Sequence, residues 1–185
     1  MKYRLDKYGN KISALGFGCM RLPQTDENDP TKIDQELFNE MVDIYMEKGF
    51  NYFDTSYAYH GGISEVAIRK AVVERYPRES FQICDKMPTW ALTSKEDNEK
   101  FVNEMLERLG IDYFDVFFIH NINVPWLKLA EKCNTFEYVK KMKEEGIAKK
   151  IGFDPAVMAS PFITTMVDAI SLLIYFKVAS VLIGL

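Results

Sequence analysis

Three ionisable residues, Asp54, Lys86 and His120, each end a short apolar run, and they recur at intervals of 32 and 34 residues. An interval of that size is one strand–helix–strand unit, which needs roughly 30 or more residues. The spacing predicts an α/β fold whose successive strands run parallel. In such folds the carboxyl ends of the strands form the functional face, so three polar side chains in register there point into a common site.

The rest of residues 1–153 keeps the same alternation. Tyr3-Arg4-Leu5 and Lys11-Ile12-Ser13 flank Lys7-Tyr8-Gly9-Asn10 as an N-terminal hairpin, and residues 15–18, 51–53, 81–84, 113–119 and 150–153 read as five strands. Between them, apolar spacing and stop signals predict four helices. The first covers residues 34–48 with Leu37, Met41, Ile44 and Tyr45 on its packed face, and Gly49 ends it. The second opens at Ser64 and Glu65 and packs Val66, Ile68, Ala71 and Val72. The third starts from the Ser94 and Asp97 cap signal, packs Phe101, Met105, Leu106 and Leu109, and closes at Gly110. The fourth covers residues 135–145 and stops at Gly146.

Composition removes several function classes. A net charge of −4 with no basic patch argues against nucleic acid as a partner. Cys19, Cys84 and Cys133 are widely spaced and odd in number, so neither a disulfide framework nor a metal site is expected, and a reducing cytoplasm is the simplest setting. The polar, charged start lacks the pattern of a secretory signal. One boundary is sharp. Of 23 Lys and Arg and 27 Asp and Glu, only Asp154, Asp168 and Lys177 fall in residues 154–185.

The rim residues suit one chemistry. Tyr59 lies five residues past Asp54 in the same loop, within reach of Lys86 and His120. A phenol is ordinarily too weak an acid to give up a proton at neutral pH, and a nearby ammonium corrects that. Lys86 supplies the ammonium, Asp54 keeps it charged and oriented, and a neutral His120 can donate a hydrogen bond to a carbonyl oxygen. Such a set fits carbonyl reduction, in which hydride reaches carbon while an acid protonates oxygen. Other readings stand beside it: Asp54 as a helix cap, Tyr57 in place of Tyr59, His60 as a loop residue, Arg21 as a surface cation, and Cys84 as a buried strand residue.

The segment Phe53-Asp54-Thr55-Ser56-Tyr57-Ala58-Tyr59-His60-Gly61-Gly62-Ile63-Ser64-Glu65 resembles the part of aldo-keto reductases that carries the catalytic Asp and Tyr. Cys84-Asp85-Lys86 is similar to their Lys segment, and Phe117-Phe118-Ile119-His120-Asn121 to their His segment. The resemblance implies the N-terminal hairpin and about five strands of an incomplete (β/α)8 TIM barrel, whose full form needs about 250 residues. It also implies an NADPH or NADH cofactor and a small-molecule carbonyl substrate, with Tyr59 as acid, Lys86 its activator, Asp54 the partner of Lys86 and His120 the substrate orienter. Gly18-Cys19-Met20-Arg21 resembles the loop near the nicotinamide, which makes Met20 and Arg21, with Asp54, the candidate cofactor contacts. In two places the pattern departs. Asp154-Pro155 stands where related reductases place a Ser on the nicotinamide amide, and the segments that hold the cofactor phosphates would come later still.

Residues 154–185 resemble the last membrane helix of MgtE-type magnesium transporters, through Asp154-Pro155-Ala156-Val157-Met158-Ala159-Ser160-Pro161 and the apolar run after it. That resemblance makes Asp154 the counterpart of an Asp on an ion path. A single such helix cannot form a pore. Residues 161–185 are long enough to cross roughly 30 Å of hydrocarbon. Ten Leu, Ile, Val or Phe in residues 169–185 favour insertion by roughly 3 to 6 kcal/mol, against about 3 for Lys177. Asp168 and Lys177, nine residues apart, cannot pair on one helix face.

Two domains are thus expected, a reductase-like half-barrel at 1–153 and an apolar helical tail at 154–185. The reading is a cytoplasmic, truncated carbonyl reductase, weak or inactive alone, that self-associates through open barrel edges. The alternative is a non-catalytic fusion product attached to a membrane through residues 161–185.

Overall fold

The computed structural model describes residues 3–5 and 11–153. Strands β1 (Tyr3–Leu5) and β2 (Lys11–Ser13) pair antiparallel, as the hairpin reading expects, while its turn and the apolar tail lie outside the described residues. Five further strands, β3 (Phe17–Gly18), β4 (Tyr52–Asp54), β5 (Gln82–Met87), β6 (Val116–Ile119) and β7 (Ile151–Phe153), form one parallel sheet in chain order. Sequential parallel order is how the wall of a (β/α) barrel grows, and five strands make part of one. Strand bounds differ from the apolar runs: β3 and β6 are shorter and leave out Leu15 and Tyr113, whereas β5 is longer and takes in Lys86.

Side chains alternate across this sheet. The register pairs Phe17 with Phe53, Phe53 with Ile83, and Asp85 with Phe117, which sets one face. Phe53, Ile83 and Phe117 share a buried cluster with Phe38 and Val42 of α1 (Gln35–Glu47), Ala67 and Ile68 of α2 (Ile63–Ile68), and Phe101, Met105 and Leu109 of α3 (Glu96–Leu109). The other face carries Gly18, Asp54, Cys84, Lys86, Phe118 and Gly152. A Cβ on Gly152 would stand 2.7 Å from the Phe118 ring, so glycine there makes room for that ring beside the site.

Helix α1 starts where the sequence puts it, with the Asp34 carboxylate accepting the Leu37 N–H, and ends at Gly49, whose φ is +78°. Its packed face is not the one expected. Phe38, Val42 and Tyr45 are buried, whereas Leu37, Met41 and Ile44 are 44%, 40% and 55% exposed. The helix is apolar over two adjacent stripes, and the sheet covers only one. In the second helix Ile68, Ala71 and Val72 are buried and Val66 half-buried, and α2 runs on into a π turn, Arg69–Val73. At α3 Lys95 occupies the cap position, and Asp97 accepts the Thr93 and Ser94 N–H groups, so half of a capping box forms. The sequence reading missed α4 (Val124–Lys132), capped by Asn123 onto Trp126 N–H. Helix α5 (Thr135–Glu144) ends before Gly146, as expected. Among the described residues no helix is long and apolar enough to cross a membrane.

Candidate active site

Strand ends deliver the charged groups. Asp54 ends β4 and Lys86 stands near the end of the neighbouring β5, both on the face away from the helices. Lys86 is 4% exposed, and its Nζ donates to Asp54 Oδ1 at 2.6 Å and to the Thr55 carbonyl at 2.7 Å. The same ammonium lies 3.2 Å from the Tyr59 hydroxyl. Burial works against the charged form of Lys86, but the Asp54 charge and hydrogen bond outweigh it and hold the ammonium above the ordinary lysine range.

The loop after β4 sets Tyr59. Its backbone turns through a tight 3-10 segment, Tyr59–Gly62, in which His60, Gly61 and Gly62 all have positive φ. His60 lies in this loop and is buried there. Its Nε2 accepts the Leu22 N–H at 2.9 Å, so Nδ1 carries the proton and donates to the Pro30 carbonyl at 2.7 Å. The turn behind Tyr59 is thereby tied to the 22–30 loop.

His120 directly follows β6. Its Nδ1 lies 2.9 Å from Ser56 Oγ, its carbonyl accepts from Thr89 Oγ1, and its ring meets Tyr59 edge-on at 6.1 Å between centroids. Trp90 packs on the His120 ring at 5.3 Å and on Trp126 at 6.0 Å, giving the cleft an apolar flank. The structure therefore brings Asp54, Tyr59, Lys86 and His120 together, whereas the Tyr57 hydroxyl points elsewhere, to Glu104. Met20 and Arg21 lie exposed on the turn Cys19–Arg21, which follows Gly18, the sheet partner of Asp54. Sequence reasoning missed Thr55, Ser56, Trp90 and Trp126. Thr55 and Ser56 sit inside the motif already quoted, directly after Asp54.

The aldo/keto reductase family model matches residues 14–158, and a divalent cation transporter family model matches residues 146–178. The chain is 29% identical over 164 residues to a protein described as probable aldo-keto reductase 1 of Glycine max, covering 83% of this chain and 44% of that one. It is 31% identical over 156 residues to L-galactose dehydrogenase of Arabidopsis thaliana, covering 80% and 46%. An aldo-keto reductase structure from Bacillus halodurans superposes with a TM-score of 0.65 at 27% identity, covering 83% of this chain and 50% of that one. The chain thus spans less than half the length of these two curated relatives. With most of its residues inside the match, and the five sequential parallel strands of the fold to go with it, the chain belongs to the aldo/keto reductase family.

Proposed function

We propose that this chain carries the proton-transfer side of an NAD(P)H-dependent carbonyl reductase, which converts an aldehyde or ketone to an alcohol. The observation that carries the reading is the Lys86 ammonium set between the Asp54 carboxylate and the Tyr59 hydroxyl, 2.6 and 3.2 Å away. As Tyr59 gives its proton to the carbonyl oxygen, negative charge develops on the phenol oxygen, and the adjacent ammonium stabilises it. Asp54 keeps Lys86 charged and aimed. Ser56, by donating to Nδ1 of His120, leaves the ring proton on Nε2, the form that donates to the substrate oxygen. Trp90 and Trp126 exclude water on one side and favour substrates with a flat or apolar body.

A reduced nicotinamide would supply the hydride to the carbonyl carbon. The residues present fit its ring: a Cβ built on Gly18 meets nothing within 4 Å, and exposed Met20 and Arg21 stand on the following turn beside Asp54. The residues that family resemblance assigns to the nicotinamide amide and the phosphates come after β7, outside those described. Because Asp154-Pro155 stands where related reductases place a Ser on the nicotinamide amide, we expect slow turnover, since misplacing a reacting centre by about 1 Å can cost on the order of a hundredfold.

Fluorescence titration with NADPH and with NADH, alongside reduction of a reactive aromatic aldehyde, tests the reading. Nicotinamide-dependent reduction, however slow, that is lost in Tyr59→Phe supports it. Reduction that survives Tyr59→Phe refutes it.

A second reading rests on the divalent cation transporter match at residues 146–178. In it, residues 1–153 are a cytoplasmic reductase-like domain, and residues 161–185 attach it to a membrane. Carbonate extraction of membranes from cells expressing the full chain decides between attachment and a freely soluble product.

A further inference from the structure

Behind the cleft, on the helix-facing side of β5, two carboxyls are fully enclosed. Asp85 and Glu65 are both 0% exposed. Asp85 Oδ1 accepts the Lys86 N–H at 2.7 Å, and Glu65 Oε2 accepts from Arg108 Nη1 at 2.9 Å. The other oxygen of each, Asp85 Oδ2 and Glu65 Oε1, has no hydrogen-bond partner among the described residues, although the two side chains lie within hydrogen-bonding contact of each other. Two bare acceptors facing one another in a dry site repel, and a hydrogen between them satisfies both.

The local charges point the same way. The charged and titratable groups around the pair are Arg108 and Glu104 of α3, Lys86 of β5, Asp54 at the end of β4, Tyr57 in the loop after it, and the buried thiols of Cys19 and Cys84, which burial keeps neutral. Arg108 is already shared with Glu104 at 3.6 Å, and the Lys86 ammonium is engaged by Asp54 on the opposite face. With both carboxyls ionised, one buried negative charge would lack a counter-charge, an arrangement proteins avoid by taking up a proton.

We infer that Asp85 and Glu65 hold a single proton between them and act as a positioning pair, clamping β5 at Lys86 to α2 and α3 from behind. Burial pushes both carboxyls above the ordinary carboxylate range; for Glu65 the Asp85 charge adds to it and Arg108 opposes, and for Asp85 the Lys86 N–H opposes. Groups whose proton affinity is raised by folding contribute stability that is fully present at or below the ordinary carboxylate range, and that is lost as pH rises towards the raised value.

Two measurements on the full chain test this, and neither requires turnover. At pH 8 ordinary carboxyls are ionised, so infrared spectroscopy should show one protonated carboxyl band that disappears in both Asp85→Asn and Glu65→Gln. The amide introduced by Asp85→Asn can accept the Lys86 N–H and donate to Glu65. The amide introduced by Glu65→Gln can accept from Arg108 and donate to Asp85, so each single substitution copies the protonated pair. Each single variant should match wild type in urea midpoint near pH 4 and exceed it increasingly towards pH 8. The double variant Glu65→Gln/Asp85→Asn leaves donors facing without an acceptor and should unfold at lower urea than either single. A missing band overturns the shared proton, as do single variants less stable than wild type at every pH with effects that simply add.

Discussion

Ser56 Oγ lies 2.9 Å from Nδ1 of His120, joining two loops 64 residues apart in the chain. Ser56 is fully buried, so the contact holds the ring against the floor of the cleft. Removing the hydroxyl in Ser56→Ala should cost about 1 kcal/mol of stability and let the ring take its other tautomer. NMR of the His120 ring nitrogens reads that change directly. Where turnover is measurable, kcat should fall roughly tenfold with KM little altered, since the lost hydrogen bond acts as charge develops on the substrate oxygen. An unchanged ring tautomer in Ser56→Ala would show that another group sets it.

Asp54→Asn keeps the shape of the carboxylate but leaves the Lys86 ammonium buried beside a neutral group. Breaking an enclosed ion pair costs about 3–5 kcal/mol, and because the Asp54 side chain is 34% exposed we expect about 1–3. Folding raises the proton affinity of Lys86. The stability it contributes is therefore complete below the ordinary lysine value, about 10.4, and is lost as pH rises through the raised one. Urea unfolding from pH 6 to 9 should show a constant penalty for Asp54→Asn, shrinking only above that range. A penalty that vanishes between pH 7 and 9 would mean Lys86 is not held charged.

Much of this site was legible because β strands and their connections repeat at a nearly fixed length. Asp54, Lys86 and His120 fall on one rim through spacing alone, and Gly49 and Gly110 mark helix ends through the positive φ they adopt. Burial partners were harder to read. Leu37, Met41 and Ile44 form as good an apolar stripe as Phe38, Val42 and Tyr45, and only the position of the sheet decides between them. Asp85 reads as an ordinary charged neighbour of Lys86, yet alternation along β5 sends it to the helix side, beside Glu65 and its partner Arg108. Trp90, on a 3-10 turn after β5, and Trp126, in the first turn of α4, come together from separate elements, and no local pattern announces such a pair.

His60 is held by two backbone groups, the Leu22 N–H and the Pro30 carbonyl, and its own φ of +53° is uncommon for a side-chain-bearing residue. Replacing it by Phe leaves both groups without partners and should cost about 2 kcal/mol. The loosened 22–30 loop should show faster amide exchange at Leu22. His60→Gln can still accept and donate, so it should recover part of the loss. Equal destabilisation by Phe and Gln would indicate that ring packing, not the two hydrogen bonds, holds the turn behind Tyr59.

Strands β3 and β7 each pair on one side only among the described residues, and apolar side chains crowd both flanks. Beside β3 an apolar groove is lined by Phe17, Met41, Ile44, Tyr45 and Phe50, and beside β7 another is lined by Ile119, Phe136, Val139, Ile151 and Phe153. Parallel sheets are ordinarily covered on both faces, and open edges recruit other chains. The purified chain should therefore associate with increasing concentration, which sedimentation velocity reports. A double substitution, Met41→Glu with Ile44→Lys, places charge on exposed positions of α1 without touching Phe38, Val42 or Tyr45. It should weaken association by at least about tenfold, the effect of roughly 1.4 kcal/mol, while leaving the circular dichroism unchanged. If instead the chain stays monomeric at all concentrations, or associates equally well with both charges in place, the α1 flank is not the surface through which copies meet.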